Sequence, residues 1–169
     1  MKTNIVASGY SLKDFDFSTL EGHTIVLNHV WQYCPHDFIV GLDNPKKAEW
    51  GVRAGIDLTK LHTNEAHGIK ECVNWKKYGK GLNRNEGHIS SEYNGSLFGA
   101  INIALNLGFK ELHIYGADGK LTAGYMHFFD KAPLPPREQG KKVDMFRRFN
   151  IYLNQIYTQL RDDEKIILH

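Results

Sequence analysis

The sequence predicts an α/β fold in which a mostly parallel sheet is flanked by helices. Short apolar segments are continuous rather than alternating in polarity, which is typical of strands that are covered on both faces. These segments alternate with stretches of helical periodicity, as in layered α/β proteins. The chain has 169 residues, of which 41% are hydrophobic and 24% charged. That size and composition predict one domain spanning residues 1–169.

The first predicted strands are short apolar runs that end in polar residues. They cover residues 4–7, 23–28 and 37–42, with weaker candidates at 56–63 and 69–75. Asn44 and Pro45 follow the third run as a helix N-cap and a first-turn proline. This pair predicts a short helix that extends to about Arg53.

The clearest helix lies in the second half of the chain. Apolar residues repeat there at helical spacing from Leu97 to Leu107, and Gly108 ends the pattern. A strand is predicted at 111–115, an amphipathic helix at about 139–160 and an edge strand at 166–168. The last helix should bury one face, made of Val143, Phe146, Asn150, Leu153, Tyr157 and Leu160. Two irregular segments, about 76–93 and 120–140, are predicted as mobile loops.

Charge and cysteine content exclude several classes of protein. There are 21 basic and 19 acidic side chains, giving a net charge of +2, so a nucleic-acid partner is neither implied nor excluded. Cys34 and Cys72 stand alone, which excludes a local zinc ribbon or redox pair and suits reduced thiols. No segment has the length of a membrane span or the core of a signal peptide. We therefore expect a cytoplasmic protein.

Polar residues follow several predicted strands at the sheet edge where ligands bind in parallel α/β folds. Candidates for nucleotide binding there are Ser8, Gly9, Ser11, Asn28, Asp43, Asn44 and Asp118. The turn from Ser8 to Ser11, called the first turn below, has backbone N–H groups for an anion, and Asn28 has an amide for a base or ribose. Each of these residues also has an ordinary interpretation as a turn or capping residue.

Two further groups complete the predicted site. Asn94, Gly95 and Ser96 open the clear helix, where the helix dipole favours an anion, although simple capping explains them equally well. His127 lies in an aromatic segment after the strand at 111–115 and is the candidate general base. The remaining histidines lack metal-ligand spacing, so no metal ligand is assigned.

With these motifs placed, the chain resembles the bacterial sialyltransferase type of Rossmann-like domain. It is also similar to the wider group that contains motility accessory factors and archaeal-type hydroxymethylpterin pyrophosphokinases. The family's G-x-G-P-S-L turn corresponds to residues 7–12, where Gly9, Ser11 and Leu12 are kept and Tyr10 replaces the proline. The family's later motifs match Asn28, Asn44–Pro45, 94–96 and 116–118.

The resemblance implies a metal-independent glycosyltransferase that binds a nucleotide-activated sugar and needs no cofactor. In that interpretation the first turn and residues 94–96 hold the donor phosphate, Asn28 and Asn44 hold the nucleoside, and His127 deprotonates the acceptor. One alternative is a pyrophosphokinase or phosphoryl transferase in which Asp43 and Asp118 hold Mg²⁺. Another is a non-catalytic nucleotide-binding or sequestering protein of a phage, which the short chain favours. Association into homo-oligomers stays open.

Overall fold

The computed structural model describes residues 1–92 and 95–169. Eight strands form one sheet, and every neighbouring pair in it is parallel. The strands are β1 (Lys2–Val6), β2 (His23–Leu27), β3 (Phe38–Val40), β4 (Leu61–Asn64), β5 (Val73–Lys77), β6 (His88–Ile89), β7 (Glu111–Tyr115) and β8 (Lys165–Leu168). Two α-helices accompany them in the described part of the chain, α1 (Ser96–Asn106) and α2 (Pro136–Tyr157). The predicted α/β class is confirmed.

The strand order reverses beside β1. The spatial order is β6-β5-β4-β3-β2-β1-β7-β8, so the chain first builds outward from β1 to β6. It then returns through α1 and places β7 on the opposite side of β1. Ligands of open α/β sheets bind at such a reversal, outside the carboxyl ends of the strands.

Each face of the sheet carries its own apolar core. On one face, strand residues such as Ile5, Ile25 and Ile114 pack with α1 and with Leu153 and Ile156 of α2. On the other face, 3₁₀ turns and loops cover a second apolar cluster in place of α-helices. This cluster includes Val6, Val26, Ile39, Trp50, Ile56, Leu61 and Ile69. Burial on both faces is the physical reason why the strands are continuously apolar.

The helix predicted from Asn44 to Arg53 is wrong. Residues 45–51 form turns, and only Val52–Ala54 is a 3₁₀ helix. Val52 donates its backbone N–H to the Pro45 oxygen at 2.9 Å, which folds the segment back on itself. Gly51 lies so close to the Pro45 carbonyl that a side chain has no room there, and the adjacent Trp50 is buried. Tertiary packing therefore overrides the local helix-start signal.

Two other predictions need correction. The segment 76–93 is not wholly irregular, because it contains the end of β5 and all of β6, and Ile89 in it is 1% exposed. The predicted buried face of the last helix is only partly correct. Leu153 is buried, but Val143 is 65% exposed and Tyr157 is also exposed, since α2 reaches the core only in its last turns. Within residues 1–92 and 95–169, no helix has both the length and the apolarity to cross a membrane.

Candidate functional site

A cleft of about 530 Å³ opens at the carboxyl ends of β1, β2 and β7. The start of α1 and the loop after β7 form its inner walls, and α2 forms its outer wall. Seven of the predicted site residues line this cleft: Ser8, Gly9, Asn28, Gly95, Ser96, Asp118 and His127. The cleft thus brings together the turn after β1, the end of β2, the start of α1 and the loop after β7 at the strand-order reversal.

The first turn is closed by Asp118. Ser11 donates its backbone N–H to Asp118 Oδ2 at 3.0 Å and its hydroxyl to Asp118 Oδ1 at 2.5 Å. Gly9 donates its N–H to the Gly116 oxygen at 2.8 Å, and a Cβ at position 9 would collide with that oxygen and with the Asp118 carboxylate. The glycine is therefore required by close approach of the two loops. The Asp118 carboxylate also occupies donors that the sequence assigned to a ligand phosphate.

A hydrogen-bonded chain fixes Asn28 at the end of β2. Leu42 donates its N–H to Ser96 Oγ at 3.2 Å, and Ser96 donates its hydroxyl to Asn28 Oδ1 at 3.0 Å. Asn28 adopts φ of 47°, a left-handed conformation that asparagine tolerates better than most residues. Among the described residues, its Nδ2 has no hydrogen-bond partner. The Asn28 amide is thus oriented by its oxygen and keeps two N–H donors for a ligand.

His127 is held to the first turn by side-chain and backbone contacts. Its Nδ1 lies 2.7 Å from Ser8 Oγ, and its ring stacks on Phe129 with centroids 5.1 Å apart and planes 13° apart. Asp130 accepts the backbone N–H groups of Met126 and His127 at 3.1 and 2.7 Å, which closes a tight turn around the histidine. Asp130 therefore shapes the loop that carries the imidazole.

Burial lowers the pKa of His127 below the ordinary histidine value. The Asp130 carboxylate and a hydrogen bond to the Ser8 backbone oppose this shift, while His29 and Lys142 add to it. A histidine ordinarily titrates near 6.5. The lowered pKa favours the neutral imidazole, which is the state in which a histidine accepts a proton.

Cations and aromatic rings on several walls of the cleft are absent from the site predicted from the sequence. Lys120, Lys141 and Arg148 line the cleft, as do the rings of Phe98, Phe149 and Tyr152. Phe98 contacts Phe149 at 5.4 Å and Tyr152 at 5.7 Å between centroids, so these rings form one apolar wall. Lys141, Met145, Arg148 and Tyr152 are three or four residues apart, so they share one face of α2, and that face lines the cleft. That spacing is the sequence signal that could have found the α2 residues of the site.

Asp43 and Asn44 are not among the residues that line the cleft. Asn44 Oδ1 accepts the Lys46 N–H at 3.0 Å, which is a capping contact, and Asp43 is exposed. Asp43 follows β3 and Asp118 follows β7, and the strands β2 and β1 lie between these two in the sheet. A magnesium ion held jointly by Asp43 and Asp118 stays a prediction.

Two remaining site predictions concern metals and Asn94. Asn94 lies outside the described residues. Within the described ranges, no group of three or more histidine, cysteine, aspartate or glutamate side chains has a metal-binding arrangement.

Comparison with family models, with curated proteins and with solved structures finds no match to this chain. The resemblance to the sialyltransferase type therefore stays a prediction.

Proposed function

We propose that the cleft binds a nucleotide-activated sugar and transfers the sugar to an acceptor hydroxyl, with His127 as general base. The observation that carries this proposal is a partly buried imidazole, anchored through Nδ1, in a cleft that also contains cations and an aromatic wall. The volume of about 530 Å³ lies in the range of small-molecule sites. The position at the strand-order reversal agrees with a nucleotide ligand.

The lining residues suit the parts of such a donor. Lys120, Lys141 and Arg148 supply positive charge for phosphate oxygens, and the amino terminus of α1 at Gly95 and Ser96 adds a favourable dipole. The rings of Phe98, Phe149 and Tyr152 offer an apolar wall for a planar base. The free Asn28 amide N–H groups suit carbonyl or hydroxyl acceptors on the nucleoside.

The proposed reaction is a single displacement at the anomeric carbon. The acceptor oxygen attacks that carbon while His127 takes the hydroxyl proton, and the bond from the carbon to the phosphate oxygen breaks. The nucleotide leaves with the bonding electron pair, and Lys120, Lys141 and Arg148 stabilise the negative charge that develops on it. A positioned base of this kind contributes about 10²- to 10⁴-fold in rate.

Binding is tested first, by thermal shift of the protein with nucleoside mono- and diphosphates and with sugar nucleotides, with and without Mg²⁺. A ligand of the folded state raises the unfolding temperature by mass action. We expect at least one sugar nucleotide to stabilise the protein without added Mg²⁺, and release of free nucleotide when a suitable acceptor is present. A panel in which no nucleotide or sugar nucleotide stabilises the protein would refute the proposal.

A non-catalytic nucleotide-binding protein is the second candidate. The specific observation in its favour is that Asp118 already occupies the Ser11 donors of the first turn, which leaves fewer groups to activate a donor phosphate. This candidate predicts tight binding and recovery of unchanged sugar nucleotide after long incubation with acceptors. Turnover that disappears on changing His127 to asparagine would exclude it.

A further inference from the structure

Ser8 and His127 are joined although 119 residues separate them in the sequence. Besides the 2.7 Å contact between Ser8 Oγ and His127 Nδ1, Phe128 donates its backbone N–H to the Ser8 oxygen at 3.0 Å. Gly9 and His127 also form an isolated antiparallel bridge. The backbone contacts hold the two side chains at hydrogen-bonding distance, so their contact is built into the loop structure.

The plane of the His127 ring is fixed from a second direction. Phe129 stacks on the imidazole, and Tyr33 stacks on Phe129 with planes 3° apart and centroids separated by 5.5 Å. Three nearly parallel rings therefore restrict rotation of the imidazole. With the plane fixed, the main remaining variable is which ring nitrogen carries the proton.

The hydrogen-bond partner of His127 Nδ1 decides which ring nitrogen carries the proton. A neutral imidazole has one N–H donor and one acceptor nitrogen, and the hydrogen bond at one nitrogen sets the state of the other. Among the described residues, Nδ1 is bonded to Ser8 and Nε2 has no partner. If Nδ1 carries the proton and donates to Ser8 Oγ, the lone pair of Nε2 is free to take a proton from a ligand.

We propose that Ser8 is the positioning residue of the site, accepting the Nδ1 proton of His127 and thereby presenting Nε2 as the basic nitrogen. The role of Nε2 as base rests on the proposed function, whereas the position of the proton does not. The same hydrogen bond persists when Nε2 takes up a proton, and it then stabilises the imidazolium as a charge-assisted bond.

Ser8 is assigned this role instead of that of a nucleophile because the histidine lacks the orientation that nucleophile activation requires. In a serine–histidine–aspartate arrangement the carboxylate binds the ring nitrogen opposite the serine. Here Asp130 accepts backbone N–H groups and forms no hydrogen bond with the imidazole. Within the described ranges, no carboxylate bonds to His127 Nε2.

The test is nitrogen-15 NMR of the histidine rings in the full chain at neutral pH, compared among wild type, Ser8→Ala, Ser8→Thr and Ser11→Ala. We expect the wild-type His127 to show protonated Nδ1 and unprotonated Nε2. Ser8→Ala should shift the ring toward the Nε2–H tautomer, and Ser8→Thr should restore the wild-type pattern because it keeps a hydroxyl. Ser11→Ala is the matched control, since Ser11 bonds to Asp118, and it should leave the His127 pattern unchanged.

An Nε2–H tautomer in the wild type would overturn the proposal, and so would a wild-type pattern in Ser8→Ala. Covalent labelling of Ser8 by a fluorophosphonate would also overturn it, because it would identify Ser8 as a nucleophile. These readouts need no substrate, so they stand even if the proposed transfer reaction fails. Where a substrate is found, Ser8→Ala should lower kcat about 10²-fold with little change in KM, and Ser8→Thr should recover most of it.

Discussion

A buried histidine, His62, and a half-buried one, His127, show that burial alone does not identify a functional residue. Both engage Nδ1 in a hydrogen bond, and burial lowers the pKa of both. His62 accepts the indole N–H of Trp75 at 3.0 Å inside the protein, so its partner can only donate and its tautomer is fixed. His127 is paired with a hydroxyl that can donate or accept, and it borders the cleft. The partner and the adjoining space distinguish a site residue from a structural one.

The largest expected difference between the two histidines is in reaction rate. Replacing His127 with glutamine removes the proposed base, and we expect the transfer rate to fall about 10²- to 10⁴-fold with donor affinity retained. His62→Gln is the matched variant, because glutamine offers an oxygen to the Trp75 N–H. It should retain the wild-type transfer rate per folded molecule. Steady-state kinetics of both variants check this, and equal losses in the two would contradict the assignment.

The next largest effect is expected on stability, at the close contact between Gly9 of the first turn and Gly116. A Cβ at Gly9 would collide with the Gly116 oxygen and the Asp118 carboxylate, so Gly9→Ala should lower the free energy of unfolding by about 2 to 3 kcal/mol. A Cβ at Gly140 in α2 would point into open space, so Gly140→Ala should raise the free energy of unfolding by up to about 1 kcal/mol. Urea unfolding of both variants measures the difference. A neutral Gly9→Ala would mean that the two loops are not closely packed.

The pH dependence of stability should report His62. Burial lowers its pKa to about 4, whereas the unfolded chain takes up this proton near the ordinary value of about 6.5. The unfolded state thus binds more protons between these values, and the free energy of unfolding falls as pH falls through that window. The contribution of His62 to this loss is about 2 kcal/mol at pH 5.

The His62→Gln variant isolates that contribution from the other titrating groups. Its free energy of unfolding should decrease less steeply than that of the wild type between pH 7 and pH 5. Denaturant unfolding at several pH values makes the comparison. Parallel pH profiles for the two proteins would show that His62 is not the buried neutral group described here.

The smallest effect is expected at the cleft wall formed by α2. Arg148→Ala removes one cation that faces the cleft and should weaken nucleotide binding about tenfold, with the loss reduced at high salt. Arg147→Ala is the matched control, because its exposed side chain is not among those lining the cleft. Titration calorimetry of the two variants compares their affinities. Equal affinities would place the bound phosphate elsewhere.

Much of the fold was predictable because its strongest signals are local. Short apolar runs lie in β1, β2 and β8, whereas apolar and polar residues alternate in β7. Gly108 marks the end of α1, and the sequence locates each of these elements to within a few residues. By contrast, β6 has two residues, too few for a pattern. The segment after Asn44 carried a helix signal that the close approach of Gly51 to Pro45 overrides.

The site was predictable where residues directly follow strands. Ser8, Asn28 and Asp118 reach the cleft for that reason. The hydrogen-bond partners in the site could not be predicted. Ser11 bonds to Asp118 and Ser8 to His127, and more than 100 residues of sequence separate each pair. Such contacts depend on how the loops pack, and local spacing does not encode that packing.

The most direct test of the account is NMR mapping of sugar-nucleotide binding on the full chain. We predict that chemical-shift changes cluster on the cleft, including Ser8, Asn28, His127 and the facing residues of α2, and leave His62 and Trp75 unaffected. The absence of shifts at the cleft when a sugar nucleotide is added in excess would contradict the account. Shifts centred on Arg84 and Glu164, which line a second and separate pocket, would also contradict it.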